Sequence, residues 1–505
     1  MENTVLLALA VAAVSYALIR LLGRRRPPYL PGPTPLPVLG NLLQMPTERE
    51  WLVFTEWAKT YGDCIHLKVL GQSIVVLNSF EAASDLLEKR SAMYSSRPRL
   101  VMAGELIGFA QAMALMPYTE RFRQLRRMAH KELTGAALQR YWPLHEHDSR
   151  YLVLKVMEHP SDLAKLVRHY AGSVILKVTY GYQTKPEDDP FLLLAEKVMG
   201  AFSIASKPGN WLVDFVPWLR HLPDCVPGTH FKQVARELSA LHMQVIEGPY
   251  HWALARQDTP EVIKPNFVST VMSRKAGSLT AEENEILLWS SASLFGGGAD
   301  TTVSSITSFY LAMALYPEVQ AKGRAEIDRV VGDRRLPQLS DQQDLPYIEA
   351  IMREVLRWNP VAPLGVPHLS TQDDIYRDRF IPSGAIVMSN IWAMLHDPAM
   401  FPNPQEFNPD RFLGNEAALK RTSVAFGFGR RLCPGMNFAE SSVFIAIATA
   451  LATCEIRDPL NENGAPILRE VMYETGTISH PPPFTCSVSP RSKDHSDLLE
   501  ASLAC

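Results

Sequence analysis

Cysteine is scarce in this chain: six among 505 residues, at positions 64, 225, 433, 454, 486 and 505, with no Cys-x-x-Cys pair. That spread excludes a disulfide-stapled secreted scaffold and points to a reducing compartment. No Asn-x-Ser/Thr sequon occurs, which fits a chain facing the cytosol. An excess of one charge is also missing. Fifty Lys and Arg stand against 53 Asp and Glu, and a net charge of −3 argues against a nucleic-acid partner. After residue 45 there is no Gly/Ser linker, low-complexity tract or internal repeat, so one large domain is the better reading of a length that permits two or three. What the chain has is apolar residues, 47%, with 20% charged, enough to bury a large core.

One apolar stretch, Val5 to Leu22, is close to the roughly 20 residues a membrane-spanning helix needs. Arg20 can snorkel to the interface, and Arg24, Arg25 and Arg26 follow, while the other flank carries only Glu2. A cleaved signal peptide would have its positive residues before the stretch, so an uncleaved anchor with a cytosolic C-terminal side leads. Residues 1–23 are therefore read as anchor and 24–44 as a basic, proline-rich hinge. Pro27, Pro28, Pro31, Pro33, Pro35 and Pro37 make it a stiff, non-helical spacer. Residues 45–505 form the folded domain.

Ile65, Leu67 and Val69 alternate with polar neighbours, and after Gly71-Gln72 comes Ile74–Leu77, which together predict a hairpin. Helical periodicity dominates beyond Phe80, as in Phe191–Phe202, Gln233–Ile246 and Val319–Val331. A second β region is expected around Asp374–Val387 and Leu468–Val488. The fold class is mainly α with small β-sheets. Its most telling helix runs from Thr280, with Glu283 at capping-box spacing, to Tyr316 before Pro317, about 36 residues or roughly 54 Å. In its middle stand Gly296, Gly297 and Gly298, each costing a helix roughly 1 kcal/mol relative to Ala. Three glycines there predict room and a local distortion. Asp300, Thr301 and Thr302 follow. An Asp-Thr-Thr run alone favours a threonine bonded to its own i−4 carbonyl, but after three glycines it favours a functional role.

Cys433 stands in Phe426-Gly427-Phe428-Gly429-Arg430-Arg431-Leu432-Cys433-Pro434-Gly435, just before an amphipathic run from Asn437 to Ala452. A helix N-terminus and neighbouring basic residues favour the thiolate, a soft metal ligand. Gly427, Gly429 and Gly435 let the backbone turn tightly and approach something flat, and Phe426 offers a ring to face it. Haem fits that description. A thiolate on haem iron favours O–O cleavage. The plain alternative is a buried small hydrophobe, the usual fate of a free cysteine.

The fixed positions of Phe-x-x-Gly-x-Arg-x-Cys-x-Gly are all met, and here the chain resembles the haem-thiolate monooxygenases, cytochrome P-450, of fungal microsomal type, from about Pro31 to about Pro490. The resemblance implies that fold, with the long central helix over haem b and the Cys433 thiolate as axial iron ligand. Gly297–Thr302 matches the oxygen-activation signature, in which Thr301 positions a water at bound oxygen and Asp300 relays protons. It also implies that Glu354 and Arg357, one helical turn apart, join Arg411 in a buried charge cluster, although Asp410 stands where the pattern usually has Glu. Arg431 and Arg126 would hold the haem propionates. Phe122 replaces the usual Trp of the Trp-x-x-x-Arg element and lacks its indole N–H, a loss His368 would offset.

The implied reaction is NADPH- and O2-dependent insertion of oxygen into a C–H bond. The chain has no flavin or iron–sulfur segment, so electrons come from a separate NADPH-dependent flavoprotein reductase, with cytochrome b5 a further donor, docking on Arg121, Arg123, Arg127, Lys131 and Arg430. Most such charge runs are merely solvated. Pocket segments placed by resemblance, Leu100–Met116, Leu288–Phe295, Val361–Val366 and Thr475–Ser479, are apolar apart from Glu105, which suits a hydrocarbon-rich substrate. The family prior is a terpenoid in secondary metabolism, made at the endoplasmic reticulum membrane. Alternatives are a hydroxylase of aromatic or xenobiotic compounds, a reductase-independent haem-thiolate isomerase or dehydratase, and a non-catalytic haem-binding or membrane scaffold. Asp300-Thr301 argues against the isomerase, and the retained Cys433, Arg431, Glu354 and Arg357 argue against the scaffold.

Overall fold

Thr280 starts the longest helix of the computed structural model, which describes residues 27–206, 210–275, 277–458 and 471–504. Its hydroxyl accepts from the Glu283 N–H at 3.2 Å, and the Glu283 carboxylate accepts from the Thr280 N–H at 3.0 Å, so two orphan donors are satisfied reciprocally. The anchor read at residues 1–23 lies outside the described residues.

The longer elements, in chain order, are α1 (Glu50–Tyr61), β1 (Cys64–Val69), β2 (Gln72–Leu77), α2 (Glu120–Glu132), α3 (Trp142–Glu158), α4 (Leu163–Tyr180), α5 (Pro190–Ser206), α6 (His230–Ala255), α7 (Ala281–Leu315), α8 (Pro317–Val330) and α9 (Pro346–Trp358). Then come β3 (His368–Leu369), β4 (Asp374–Tyr376), β5 (Arg379–Ile381), β6 (Ile386–Ser389), α10 (Met436–Thr453), β7 (Cys454–Arg457), β8 (Ser487–Pro490) and α11 (Lys493–Ala501). The three helical stretches and the hairpin read from the sequence fall on α5, α6, α8 and β1–β2, with Val331 as the residue that caps α8.

Leu70 and Gly71 turn the hairpin with φ of 49° and 89°, the positive pair that matches strand twist. The main sheet runs β1-β2-β6-β3, with β2 and β6 parallel and the other pairs antiparallel. The proline-rich segment is docked rather than free. Pro31 O accepts from His66 N–H at 2.8 Å, and a Cβ on Gly40 would fall 1.8 Å from Lys68 O. The late β region differs from expectation. β4, β5 and β6 occupy Asp374–Ser389, but residues 471–486 form no strand, and β8 pairs instead with β7. Pro481-Pro482-Pro483 has no N–H to give a ladder, which explains the gap.

The core lies where α7 and α10 pass each other beneath α3, α4, α8 and α9. Val303 through Ala314 on α7 and Ser441 through Thr453 on α10 are buried without a break, each large apolar side chain contributing about 1.5–3 kcal/mol. Among the described residues α10 alone is long and apolar enough to cross a membrane, and 78% of it is buried inside the fold, so here it is a core helix.

Candidate active site

The Cys433 loop is shaped by two glycines. Gly427 has φ +87° and Gly429 φ +53°, conformations costly for other residues. The Cys433 N–H then donates to Phe426 O at 2.9 Å, closing the loop before α10. Phe426 is half-buried at its shoulder. The constraint on Gly429 comes from the protein itself: a Cβ there would lie 2.3 Å from Leu87 O. Gly435 has no such contact, its nearest neighbour being Cys433 Sγ at 3.9 Å.

Cys433 sits deep in the fold but is not sealed, since part of its surface borders open space. Burial pushes its thiol up, and the Gly435 N–H and Arg126 pull only partly against that. The helix terminus and a basic neighbour thus act in the expected direction, against the burial of the sulfur. A ferric iron at the sulfur would add its own pull toward the thiolate.

Around the loop lie three guanidiniums. Arg431 Nε donates to Ser95 O at 2.6 Å and Nη1 to Met113 O at 3.2 Å, and Nη2 reaches Met116 O at 2.5 Å. Its guanidinium carbon is 3.8 Å from the centroid of the Phe122 ring. The residue that replaces the usual Trp is thus a platform for Arg431. Arg97, which sequence reasoning missed, donates to Ala114 O, Val366 O and Pro367 O at 2.9, 2.6 and 2.9 Å. Arg126 is half-buried and acts on the Cys433 thiol. Burial and the nearby Arg126 press the Arg431 pKa down to about 10, and burial with Arg431 pushes that of Arg97 well below its ordinary value. Among the described residues no carboxylate pairs with Arg97, Arg126 or Arg431. Buried charge of one sign calls for an anionic partner, and two propionates supply one. His368 completes the cluster, its Nδ1 2.8 Å from Tyr94 O. Burial and Arg97 hold its ring neutral, which commits the single N–H to that carbonyl.

On α7 the glycine run does not break the helix, contrary to the expected distortion. A Cβ on Gly296 or Gly297 would meet nothing within 4 Å, whereas one on Gly298 would fall 2.9 Å from Ile175 Cγ1 on α4. Two glycines leave room and the third allows a close helix crossing. The Thr301 hydroxyl donates to Gly297 O at 2.7 Å, the local bond that competes with a functional role. Asp300 Oδ2 lies 3.2 Å from His480 Nε2, a partner that sequence reasoning missed.

The segments read as pocket walls converge on α7. Met113 N–H donates to Ser293 Oγ at 3.0 Å, Ser304 Oγ to Ser479 O at 2.6 Å, and Ser479 N–H to Val361 O at 2.8 Å. Phe109 packs against Phe202 and His242 at centroid distances of 4.9 and 4.0 Å. Burial lowers the His242 pKa to about 4, so this ring is neutral too. Glu105, the one charge among these segments, is drawn into ion pairs with Arg99 and Arg220.

Behind the site Glu354 is fully buried and binds Arg357 Nε and Nη2 at 2.6 and 2.8 Å, Arg411 Nε at 3.2 Å and Asn408 N–H at 2.7 Å. Arg357 also donates to Leu395 O, Pro404 O and Glu406 O, fixing the segment that leads toward Cys433. Asp410 is at the surface, 2.6 Å from Lys322. The basic run divides. Arg123 and Arg127 pair with Glu120, whereas Arg121 turns to Glu285 at 2.8 Å.

A helical domain that buries a cysteine loop beside uncompensated guanidiniums defines a haem-binding oxidoreductase. The cytochrome P450 family pattern matches residues 30–486, and the chain belongs to that family. It is 42% identical over 502 residues to cytochrome P450 monooxygenase 105 of Postia placenta, covering 98% of this chain and 96% of the relative. Cytochrome P450 monooxygenase claR of Ampulloclitocybe clavipes is 43% identical, with 94% and 89% covered. Cytochrome P450 monooxygenase ppsD of Aspergillus oryzae is 38% identical, with 93% and 90% covered. The protein is accordingly a monooxygenase that uses haem with cysteine thiolate ligation, and NADPH through a reductase. The residues present fit that cofactor: an unsealed cysteine, uncompensated cations, and open space beside Gly296 and Gly297.

Proposed function

We propose that this enzyme hydroxylates an apolar small molecule, a terpenoid or related intermediate of fungal secondary metabolism. The observation that carries the reading is that the wall segments converging on α7 are apolar, their one charge, Glu105, lying at the surface in contact with Arg99 and Arg220. Such a pocket selects for hydrocarbon and discriminates weakly among polar groups. The net reaction takes substrate, O2, two electrons and two protons to hydroxylated product and water.

Haem, when bound, supplies dioxygen binding and O–O cleavage. In this reading the Cys433 thiolate would hold the haem iron. Arg431, Arg97 and Arg126 would neutralise the propionates, His368 braces that cluster through Tyr94, and Phe426 flanks the ligand loop. Thr301 releases its bond to Gly297 O to hold a water, and Asp300 hands protons to it. Residues 1–23 anchor the chain in the endoplasmic reticulum membrane, with residues 45–505 in the cytosol as the catalytic domain. The flavoprotein reductase, and cytochrome b5, dock on the face carrying Arg123, Arg127, Lys131 and Arg430.

A second reading, an aromatic substrate, is favoured by the cluster of Phe109, Phe202, His242 and Trp289, whose ring edges suit a flat π-system. Carbon monoxide difference spectra of microsomes expressing the chain test the haem ligation, and Cys433→Ala should abolish the red-shifted Soret band. A folded, haem-loaded protein without that band would sink the assignment of Cys433. Screening sesquiterpene hydrocarbons against polycyclic aromatics for low-spin to high-spin shifts decides between the two substrate classes. Shifts only with polar compounds would defeat both.

A further inference from the structure

The short segment from Glu474 to His480 is clamped onto α7. Ser479 O accepts from Ser304 Oγ at 2.6 Å, Ser479 N–H donates to Val361 O at 2.8 Å, and Glu474 N–H donates to His480 O at 2.9 Å. Ser479 Oγ closes the turn on Glu474 O at 3.1 Å, and Pro481-Pro482-Pro483 stiffens the exit. Ser304 and Asp300 are four residues apart, hence on one face of α7. The clamp at Ser304 therefore sets His480 over Asp300, where Nε2 and Oδ2 are 3.2 Å apart. The two side chains keep 17% and 23% of their surface exposed, so the pair lies at the boundary between solvent and interior. Among the described residues no other side chain hydrogen-bonds to either.

We propose that His480 feeds protons to the oxygen site through Asp300, acting as the positioning residue that holds the carboxylate and the solvent-facing link that recharges it. An imidazolium at His480 gives its Nε2 proton to Asp300 Oδ2. Asp300 passes a proton toward the water held at Thr301, and His480 takes a replacement from solvent. Two such passages deliver the two protons of one turnover, while both electrons come from NADPH through the reductase. Imidazole is suited to this because a ring nitrogen releases and rebinds a proton with no other bond broken. A main-chain clamp on either side of the ring keeps it in place through each cycle.

The proposal rests on Asp300 and Thr301 being the proton-delivery pair, and the test separates the two ideas. Full-length protein with its reductase is assayed as wild type, His480→Gln, His480→Phe, Asp300→Asn and Thr301→Ala, using the hydrocarbon with the largest spin shift. Product formed and hydrogen peroxide released per NADPH are measured, then product formed when hydrogen peroxide replaces NADPH and O2. Peroxide brings its own protons and bypasses the feed. Both His480 variants should lose about tenfold or more in product per NADPH, keep the haem-thiolate band, and turn over with peroxide within about twofold of wild type. Gln keeps a donor for Asp300 but carries no proton, so wild-type coupling in His480→Gln would overturn the proposal. Equal losses with NADPH and peroxide would also overturn it, leaving a purely structural histidine. If Asp300→Asn and Thr301→Ala remain coupled as well, the underlying assignment of the pair fails.

Discussion

The Arg431 guanidinium carbon lies over Phe122, 3.8 Å from the ring centroid, while the group donates to the carbonyls of Ser95, Met113 and Met116. A desolvated cation on an aromatic face gains roughly 2 kcal/mol. Phe122→Leu should therefore loosen Arg431, lowering the haem-to-protein ratio and the thermal midpoint while keeping the red-shifted band in the fraction that holds haem. Haem titration beside calorimetry reads both. Wild-type values would mean the stacking contributes nothing.

Gly297 and Gly298 of α7 should respond with opposite signs. Gly297→Ala gains about 1 kcal/mol of helix propensity and meets nothing within 4 Å, so stability rises while spin shifts with bulky ligands weaken. Gly298→Ala forces its methyl to 2.9 Å from Ile175 Cγ1, an overpacking that costs about 1–3 kcal/mol. Urea unfolding of the two variants compares them directly.

Glu354 compensates two guanidiniums in the interior. Glu354→Ala leaves Arg357 buried without a carboxylate and should cost about 3–5 kcal/mol. Adding Arg357→Ala to it should cost far less than the sum of the single changes, because the second substitution removes the stranded charge. A double-mutant cycle by chemical unfolding measures the coupling, and simple additivity would contradict the cluster's role.

His145 is buried against Phe438, ring centroids 4.7 Å apart, with neither nitrogen hydrogen-bonded. Burial, opposed by a smaller pull from Asp148, lowers its pKa to about 4. The unfolded chain takes up a proton near pH 6.5 and the folded one does not, so stability falls as pH drops from 6.5 toward 4. At pH 5 the loss from this residue is about 2 kcal/mol. His145→Phe should flatten that part of the stability profile, as followed by unfolding between pH 5 and 7.5.

Features carried by local rules were legible in the sequence. The capping box at Thr280, the hairpin around Gly71 and the one-turn spacing of Glu354 and Arg357 need only neighbours to be understood; that the turn falls at Leu70-Gly71 rather than Gly71-Gln72 came from the structure. Arg97 was not legible, because Ser95-Ser96-Arg97-Pro98 has no periodicity and its acceptors, Val366 and Pro367, are far along the chain. Asp300 and His480 meet across 180 positions, through a clamp that only the folded chain assembles. The burial that opposes the Cys433 thiolate was not legible for a related reason: it is a property of the whole fold.

The main sheet carries a consequence for synthesis. Gln72 donates to Gly384 O, 312 positions away, and the free edge of β2 from Ile74 to Leu77 meets β6 only there. A ribosome adding about 5–20 residues per second needs roughly 15–60 s to deliver that partner. For that interval an Ile-Val-Val-Leu edge stands open, the kind of strand other nascent chains can join. Because Cys433 is made later still, that edge is open before the chain can hold iron.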